Sequence, residues 1–479
     1  MKKSKNIIIM LGVLALLLAV YLIAAPMWSD EGEDTTEPLP AYTVAEIDHN
    51  LLVGFEIVKG EETLSFTLDS SGSKWNWNED ADVPLDNVAF AEIVTAFNEA
   101  VSNYKLTDVS EAHLADYGLD APSYRFKFVY SDSTVKEYLI GMMNTFNSLY
   151  YLCEASDPTT VYMVTSSLVS SVDLDIYDFV LIEAIPTLTE GKLIDVNYTN
   201  GENYRTFRYY ASGNAADYTD LYDWYFESGS LVMSTIPAER PLASAAADDL
   251  AGLVTGMYFY ECVGLDASAE EYGFSEGHKL IVRYNADEAA NGVLTEKTFT
   301  LYIGAQAEDG SVYVRTDGSK LVYSLGMSDD WMALLSSEDA DLLPNELWLP
   351  NYEMVDYMTF ATPAGSLTVN VKTTDGKVSY SSDKTDDADA LSALVEALDA
   401  LRATSNIAYF EDDAAEVEKN ELFSVTVGFS EGDRSVLEMK ITRFSMNYCL
   451  VSFNGREDQL LTLEDAQEFA DMISAFFAA

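Results

Sequence analysis

The chain has 479 residues, 48% hydrophobic and 12% aromatic, which is ample for a folded core and too long for one ordinary domain. It carries 80 acidic residues against 27 Lys plus Arg, a net charge of −53. A surface this negative repels phosphate backbones, so nucleic-acid binding is excluded as a function class, and anionic lipid and wall polymer are repelled with it.

At the N-terminus Lys2, Lys3 and Lys5 precede an uncharged apolar run from Ile7 to Ala25. That run is close to the ~20 residues a helix needs to cross a bilayer, and basic residues stay on the cytoplasmic side. Residues 1–26 are therefore expected to be a transmembrane signal-anchor, with everything after Pro26 outside the cell. A cleaved signal peptide is the alternative. It is disfavoured because the apolar core is long and Pro26 follows Ala24-Ala25 directly. No Cys stands near the run, so a lipoprotein anchor is excluded; without the three lysines of the first 25 residues, the exported part carries −56. Residues 27–44 are acidic and Pro-bearing at their start and read as a linker.

A pattern then occurs three times. In the first copy, Leu51–Val58, Leu64–Leu68 and Trp75-x-Trp77 alternate like strands. A helix follows with its apolar face on Phe90, Ile93, Val94, Phe97 and Val101. The second copy offers Ile194-x-Val196-x-Tyr198, Tyr204–Tyr210 and Trp224-Tyr225-Phe226, then a helix with Ala246, Leu250, Leu253, Val254 and Met257. The third offers Val355–Phe360, Leu367-x-Val369-x-Val371 and Val378-x-Tyr380, then a helix with Leu391, Leu394, Val395, Leu398 and Leu401.

Tyr117-Gly118-Leu119 and Tyr272-Gly273-Phe274 follow the helix in the first two copies. Each reads as the end of a short helix, with the glycine in a left-handed capping conformation and Leu119 packing back on Leu114. Ser110 is the expected N-cap of the first, and Ser268-x-x-Glu271 the expected capping box of the second. These glycines read as caps and not as phosphate loops. Further strands then complete each copy, among them Tyr124–Tyr130, Tyr138–Ile140, Leu280–Tyr284, Thr298–Ile303, Phe423–Val427 and Tyr448–Phe453. Ile140-Gly141 and Ile303-Gly304 end equivalent strands, and the chain closes with a helix bearing Leu463, Ala466, Ala470, Ile473 and Phe477.

The expected architecture is α+β: an N-terminal transmembrane helix followed by three repeated modules of antiparallel sheet with helices on one face. The modules span 45–183, 184–350 and, in divergent form, 351–479.

No chemistry assembles along the chain. The three cysteines, Cys153, Cys262 and Cys449, cannot close a disulfide framework and read as small buried hydrophobes. His49, His113 and His278 have no zinc-ligand spacing, and no G-x-S-x-G elbow, Walker loop or dinucleotide fingerprint is present. Asp375-Gly376 and the cluster Asp383, Asp386, Asp387, Asp389 do not fit a calcium loop. No catalytic, cofactor-binding or metal-ligating residue is assigned. Trp75, Trp77, Tyr222, Trp224 and Tyr225 read as core and cross-strand packing, with a sugar-stacking platform as the alternative.

The motifs Trp75 and Trp77, Tyr117-Gly118-Leu119, Ile140-Gly141 and Tyr150-Tyr151 recur as Trp224, Tyr272-Gly273-Phe274, Ile303-Gly304 and Tyr313. In this the chain resembles a bacterial family catalogued as domain of unknown function 4340. The resemblance covers roughly residues 1 to 350; residues 351–479 match in strand and helix order alone. It implies an envelope setting and an integral subunit of an ATP-driven transporter as partner, and it carries no catalytic residue. The expected function is that of a non-catalytic, membrane-anchored extracytoplasmic accessory or scaffold protein. A binding module for a wall glycan or peptide is the alternative.

Overall fold

A computed structural model describes residues 40–210, 222–231, 239–287, 292–347, 351–406, 417–429 and 436–477. The expected anchor and the acidic start of the linker lie outside the described residues. Among the described residues, no helix is long and apolar enough to cross a membrane.

The protein is α+β, and its described residues form three large antiparallel sheets laid down in the same way. In the first, Leu52–Lys59, Glu62–Leu68 and Trp75–Trp77 form a meander running to one edge. Helix α1 (Asn87–Glu99) follows, and the chain then places the short strand Lys105–Leu106 at the far edge. A second meander, Tyr124–Tyr130, Val135–Asn144, Leu149–Glu154 and Val161–Val164, fills the gap between, and helix α2 (Ser166–Val172) lies beside α1. The second sheet starts at Leu193–Asn200, with helices α3 (Ser244–Thr255) and α4 (Ser328–Ser336). The third starts at Val355–Thr362, with helices α5 (Ala388–Asp399) and α6 (Leu463–Ala475). In all three the opening strand carries a bulge against its inner neighbour, between Leu52 and Gly54, Leu193 and Asp195, and Val355 and Tyr357. The chain divides into two compact units, one ending at Leu181 and holding the first sheet, the other beginning at Ile182 and holding the other two.

Period-two alternation explains the faces of the first sheet. Phe55, Phe66, Phe126 and Phe128 point inward and are buried, and α1 presents Phe90, Ile93, Val94 and Phe97 to them. The Phe97 ring meets Phe126, Phe128 and Tyr138 at centroid distances of 5.0, 5.3 and 5.4 Å, while Phe90 stacks on Trp75 at 4.7 Å. The outer face carries ion pairs such as Arg125–Glu137 at 3.4 Å. In the third sheet, Leu391, Leu394, Val395 and Leu398 of α5 join Ala466, Phe469 and Ile473 of α6 in one core with the inward strand residues. The α-helices thus cover one face, but the other is not wholly bare. Leu119, Leu139, Cys153 and Val161 form a separate small core on the outer side of the first sheet, roofed by the 3-10 turn Glu111–Tyr117.

Four local expectations are corrected. Val101 is not on the helix face; α1 has ended, and Val101 is exposed in a two-residue strand paired with Tyr42–Thr43. The opening bulge of the second sheet shifts the alternation, so Leu193, Val196 and Tyr198 are buried while Ile194 is only half-buried. Ser110 makes no side-chain capping bond. Ser268 does not close a capping box either, because its hydroxyl donates to Asp266 Oδ1 at 2.6 Å.

Candidate functional site

The two recurrent sequence signatures meet in space. Gly118 lies at φ +69°, ψ +22° and closes the 3-10 turn, its N–H donating to Ala115 O at 3.1 Å and the Leu119 N–H to Leu114 O at 3.0 Å. That is the paired-bond helix terminus in which the left-handed residue favours glycine. Gly273, at φ +64°, ψ +24°, closes the equivalent turn Glu270–Tyr272. The strand partners Gly141 and Gly304 sit beneath: a Cβ on either would stand 2.2 Å from the carbonyl oxygen of Tyr117 or Tyr272. In both sheets the ladder bulges there, between Ile140 and Met143 and between Ile303 and Gln306. Tyr117 then meets Tyr151 edge-on at 4.7 Å, and Tyr272 meets Tyr313 at 5.1 Å. The third sheet has no Tyr-Gly segment, and its pair Val436–Arg443 with Tyr448–Phe453 runs without a shift. The motifs are therefore one structural joint, used twice.

Beside Gly273 lies a shallow depression of about 660 Å³, lined by Asp266, Glu270, Phe274, Glu276, Arg315 and Lys320 among others. The Arg315 guanidinium lies 3.9 Å over the Tyr302 ring and 5.6 Å from that of Phe274, with Glu276 Oε1 at 3.7 Å. The Tyr302 hydroxyl donates to Glu276 Oε2 at 3.1 Å. This cation is already partnered by rings and a carboxylate, an arrangement that holds a turn in place.

A largely buried charge cluster joins the second sheet to the segment leading into the third. Arg205 donates to Asp339 Oδ1 at 2.9 Å and Arg240 to Oδ2 at 2.8 Å, and the Ser228 hydroxyl also donates to Oδ2. Burial alone would raise the Asp339 carboxyl, but Ser228 and the two guanidiniums outweigh it and hold the group below its ordinary value. Ala243 N–H binds Leu342 O at 2.8 Å on the second-sheet side, and Gln459 Nε2 binds Pro344 O at 3.0 Å on the third-sheet side. Residues 339–347 thus stitch two sheets together. No local spacing announces this cluster, since Arg205 and Asp339 are 134 residues apart.

The residues singled out in the sequence fall apart spatially. His49 is exposed in a 3-10 turn, and His113 pairs only with Asp116, at 2.8 Å and in solvent. His278 is half-buried, its Nε2 3.2 Å from the Tyr198 hydroxyl, and burial lowers its pKa. All three cysteines are buried, and burial pushes the thiols of Cys153 and Cys449 up to about 11. Trp75, Trp224 and Tyr225 are core residues; Trp77 and Tyr222 are half-buried, so the five make no exposed stacking face. Asp375-Gly376 is a hairpin turn with both φ angles positive, and Asp387 caps α5 by accepting from Ala390 N at 3.0 Å. Among the described residues, no group of three or more His, Cys, Asp or Glu is placed to hold a metal ion.

What remains conspicuous is an exposed surface. Phe146 tops the hairpin between Val135–Asn144 and Leu149–Glu154 with 99% of its surface in solvent, flanked by exposed Met142 and Met143. Its turn is built rigidly. Asn144 Oδ1 accepts from Phe146 N at 2.9 Å, Asn144 Nδ2 donates to the Tyr151 hydroxyl at 2.7 Å, and Ser148 N–H binds Asn144 O at 2.9 Å. No sequence motif pointed to it, although the absence of any charge between Glu137 and Glu154 in so acidic a chain was available as a signal.

A search of curated proteins finds no match. Among solved structures, a putative DNA polymerase III beta subunit from Eubacterium rectale aligns over 88% of this chain and 93% of its own, at 8% identity and a TM-score of 0.13. Overlap that poor bears on neither fold nor function. The family described as Domain of unknown function (DUF4340) matches residues 75–207 and 237–423. These stretches make up more than half of the chain and contain both Tyr-Gly joints, and the chain belongs to that family.

Proposed function

We propose that the protein is a membrane-anchored, extracytoplasmic scaffold that holds an integral subunit of an ATP-driven transporter assembly at the outer face of the membrane, without catalysis. In this proposal the apolar run from Ile7 to Ala25 is its single membrane anchor, with the N-terminus in the cytoplasm and the three sheet modules outside. The observation that carries this reading is that the distinctive residues of the chain are spent on structure. The repeated glycines close joints, the buried charges pin linkers, and the histidines and cysteines stand apart. Repetition of one sheet plan three times builds surface, and surface is what a scaffold contributes. The family resemblance supports the transporter partner, and the flanking lysines support the anchor.

Crosslinking of the full chain in native membranes, followed by identification of the captured proteins, tests this. The expected product contains an integral transporter subunit. Turnover of a wall glycan or peptide by the purified full chain, abolished by one carboxylate substitution, would replace the scaffold with an enzyme.

A further inference from the structure

We propose that the Phe146 hairpin tip is a lipid-contact site, which seats the first unit on the outer leaflet of the membrane that holds the N-terminal anchor. The inference rests on the anchor reading given above.

An aromatic ring wholly in water, carried on a turn whose backbone is fixed by Asn144, is presented rather than left over. Met142 and Met143 are 46% and 41% exposed beside it, and no charge falls between Glu137 and Glu154. The same turn in the second sheet serves as an internal comparison. There Ala307 to Ser311 carries Glu308 and Asp309, and Asp309 Oδ1 accepts from Ser311 N at 2.9 Å. The two hairpins share the glycine joint and the edge-on tyrosine pair, so the fold does not require the apolar tip.

Length and charge select the occupant. Residues 27–39 lie between the expected anchor, residues 1–26, and the first described residue, and thirteen residues span at most about 45 Å. Near that entry point, the Lys136 ammonium donates to Glu46 O. Lys136 lies near the start of the strand that rises to the tip, and the nine residues from Lys136 to Asn144 cover about 27 Å of strand. The tether therefore reaches far enough for the tip to touch the bilayer while residue 40 stands clear of it. A net charge of −53 opposes anionic headgroups, so the surface that suits an uncharged apolar tip is zwitterionic.

The test uses the full chain in phosphatidylcholine vesicles, with an environment-sensitive fluorophore on Thr145→Cys, which leaves Phe146 intact. The native thiols are buried, so labelling is confined to the new site. Glu308→Cys in the second sheet's turn is the control. The proposal predicts that the label at position 145 loses quenching by aqueous iodide and is quenched by brominated lipid. The label at position 308 does neither, and adding Phe146→Asp returns the label at position 145 to water. Vesicle-bound chain whose label at position 145 is quenched by iodide as freely as the control overturns the tip and leaves the anchor standing. Chain that does not stay with the vesicles overturns both. Shielding found in native membranes but absent in pure lipid overturns the lipid assignment in favour of a protein partner.

Discussion

Gly141 and Gly118 illustrate how a glycine can be fixed for two different reasons at one contact. Gly118 needs its left-handed backbone, and a Cβ there would also stand 2.8 Å from Met142 N. Gly141 has ordinary backbone angles but no room at all, with the Tyr117 carbonyl 2.2 Å from where a Cβ would be. Both contacts are with backbone, which does not yield as a flexible side chain does, and 2.2 Å is a much closer approach than 2.8 Å, so the second constraint is the harder one. Gly118→Ala is expected to cost about 1–2 kcal/mol, and Gly141→Ala about 3 kcal/mol or more. Denaturant unfolding of both variants checks the order. Equal losses, or a milder effect at Gly141, would contradict the crossing of the two segments. From the sequence, the cap at Gly118 was legible because Tyr-Gly-Leu after a short helix has a local reading. The demand on Gly141 was not, because it arises from a chain segment more than twenty residues away.

At the scale of elements, helix α5 ends in an acid, Asp399, where the helix terminus favours a cation. Burial pushes this carboxyl up to about 6, and the Tyr352 hydroxyl, donating at 2.6 Å, pulls the other way without prevailing. The folded chain thus holds the proton more tightly than the unfolded chain, whose value is 3.8. Its contribution to stability is complete at low pH and is lost as pH rises from 3.8 through about 6. Asp399→Asn should therefore be more stable than the parent above about pH 7, by on the order of 1 kcal/mol after solvent screening, and equal to it below about pH 4. Melting curves that differ by the same amount at both ends would refute that origin. The faces of α1, α5 and α6 were readable because apolar residues recur at helical spacing, although Phe469 escaped the reading of α6 and is buried. The short helices α2 and α4 and the strands Val161–Val164, Val322–Leu325 and Arg456–Thr462 were not read. Most span a turn or two of helix or one short strand, too little for a period to emerge, and tertiary packing decides them.

For the whole molecule, the plan is three sheets of the same construction and a surface dominated by acids. The antiparallel α+β class was legible, since alternation, helix and alternation recur three times along the chain. The charged stitch of Arg205, Arg240 and Asp339 and the bare tip at Phe146 were not, because both depend on which distant residues the fold brings close or leaves uncovered. In the proposed arrangement this mass is held at the outer face of a membrane by its own N-terminus. Carbonate washing of native membranes, combined with external protease on spheroplasts and N-terminal sequencing, tests it most directly. The expected result is an uncleaved chain that survives the wash and is digested from outside at its C-terminus. A soluble mature chain beginning near Met27, or a C-terminus protected from external protease, would contradict it.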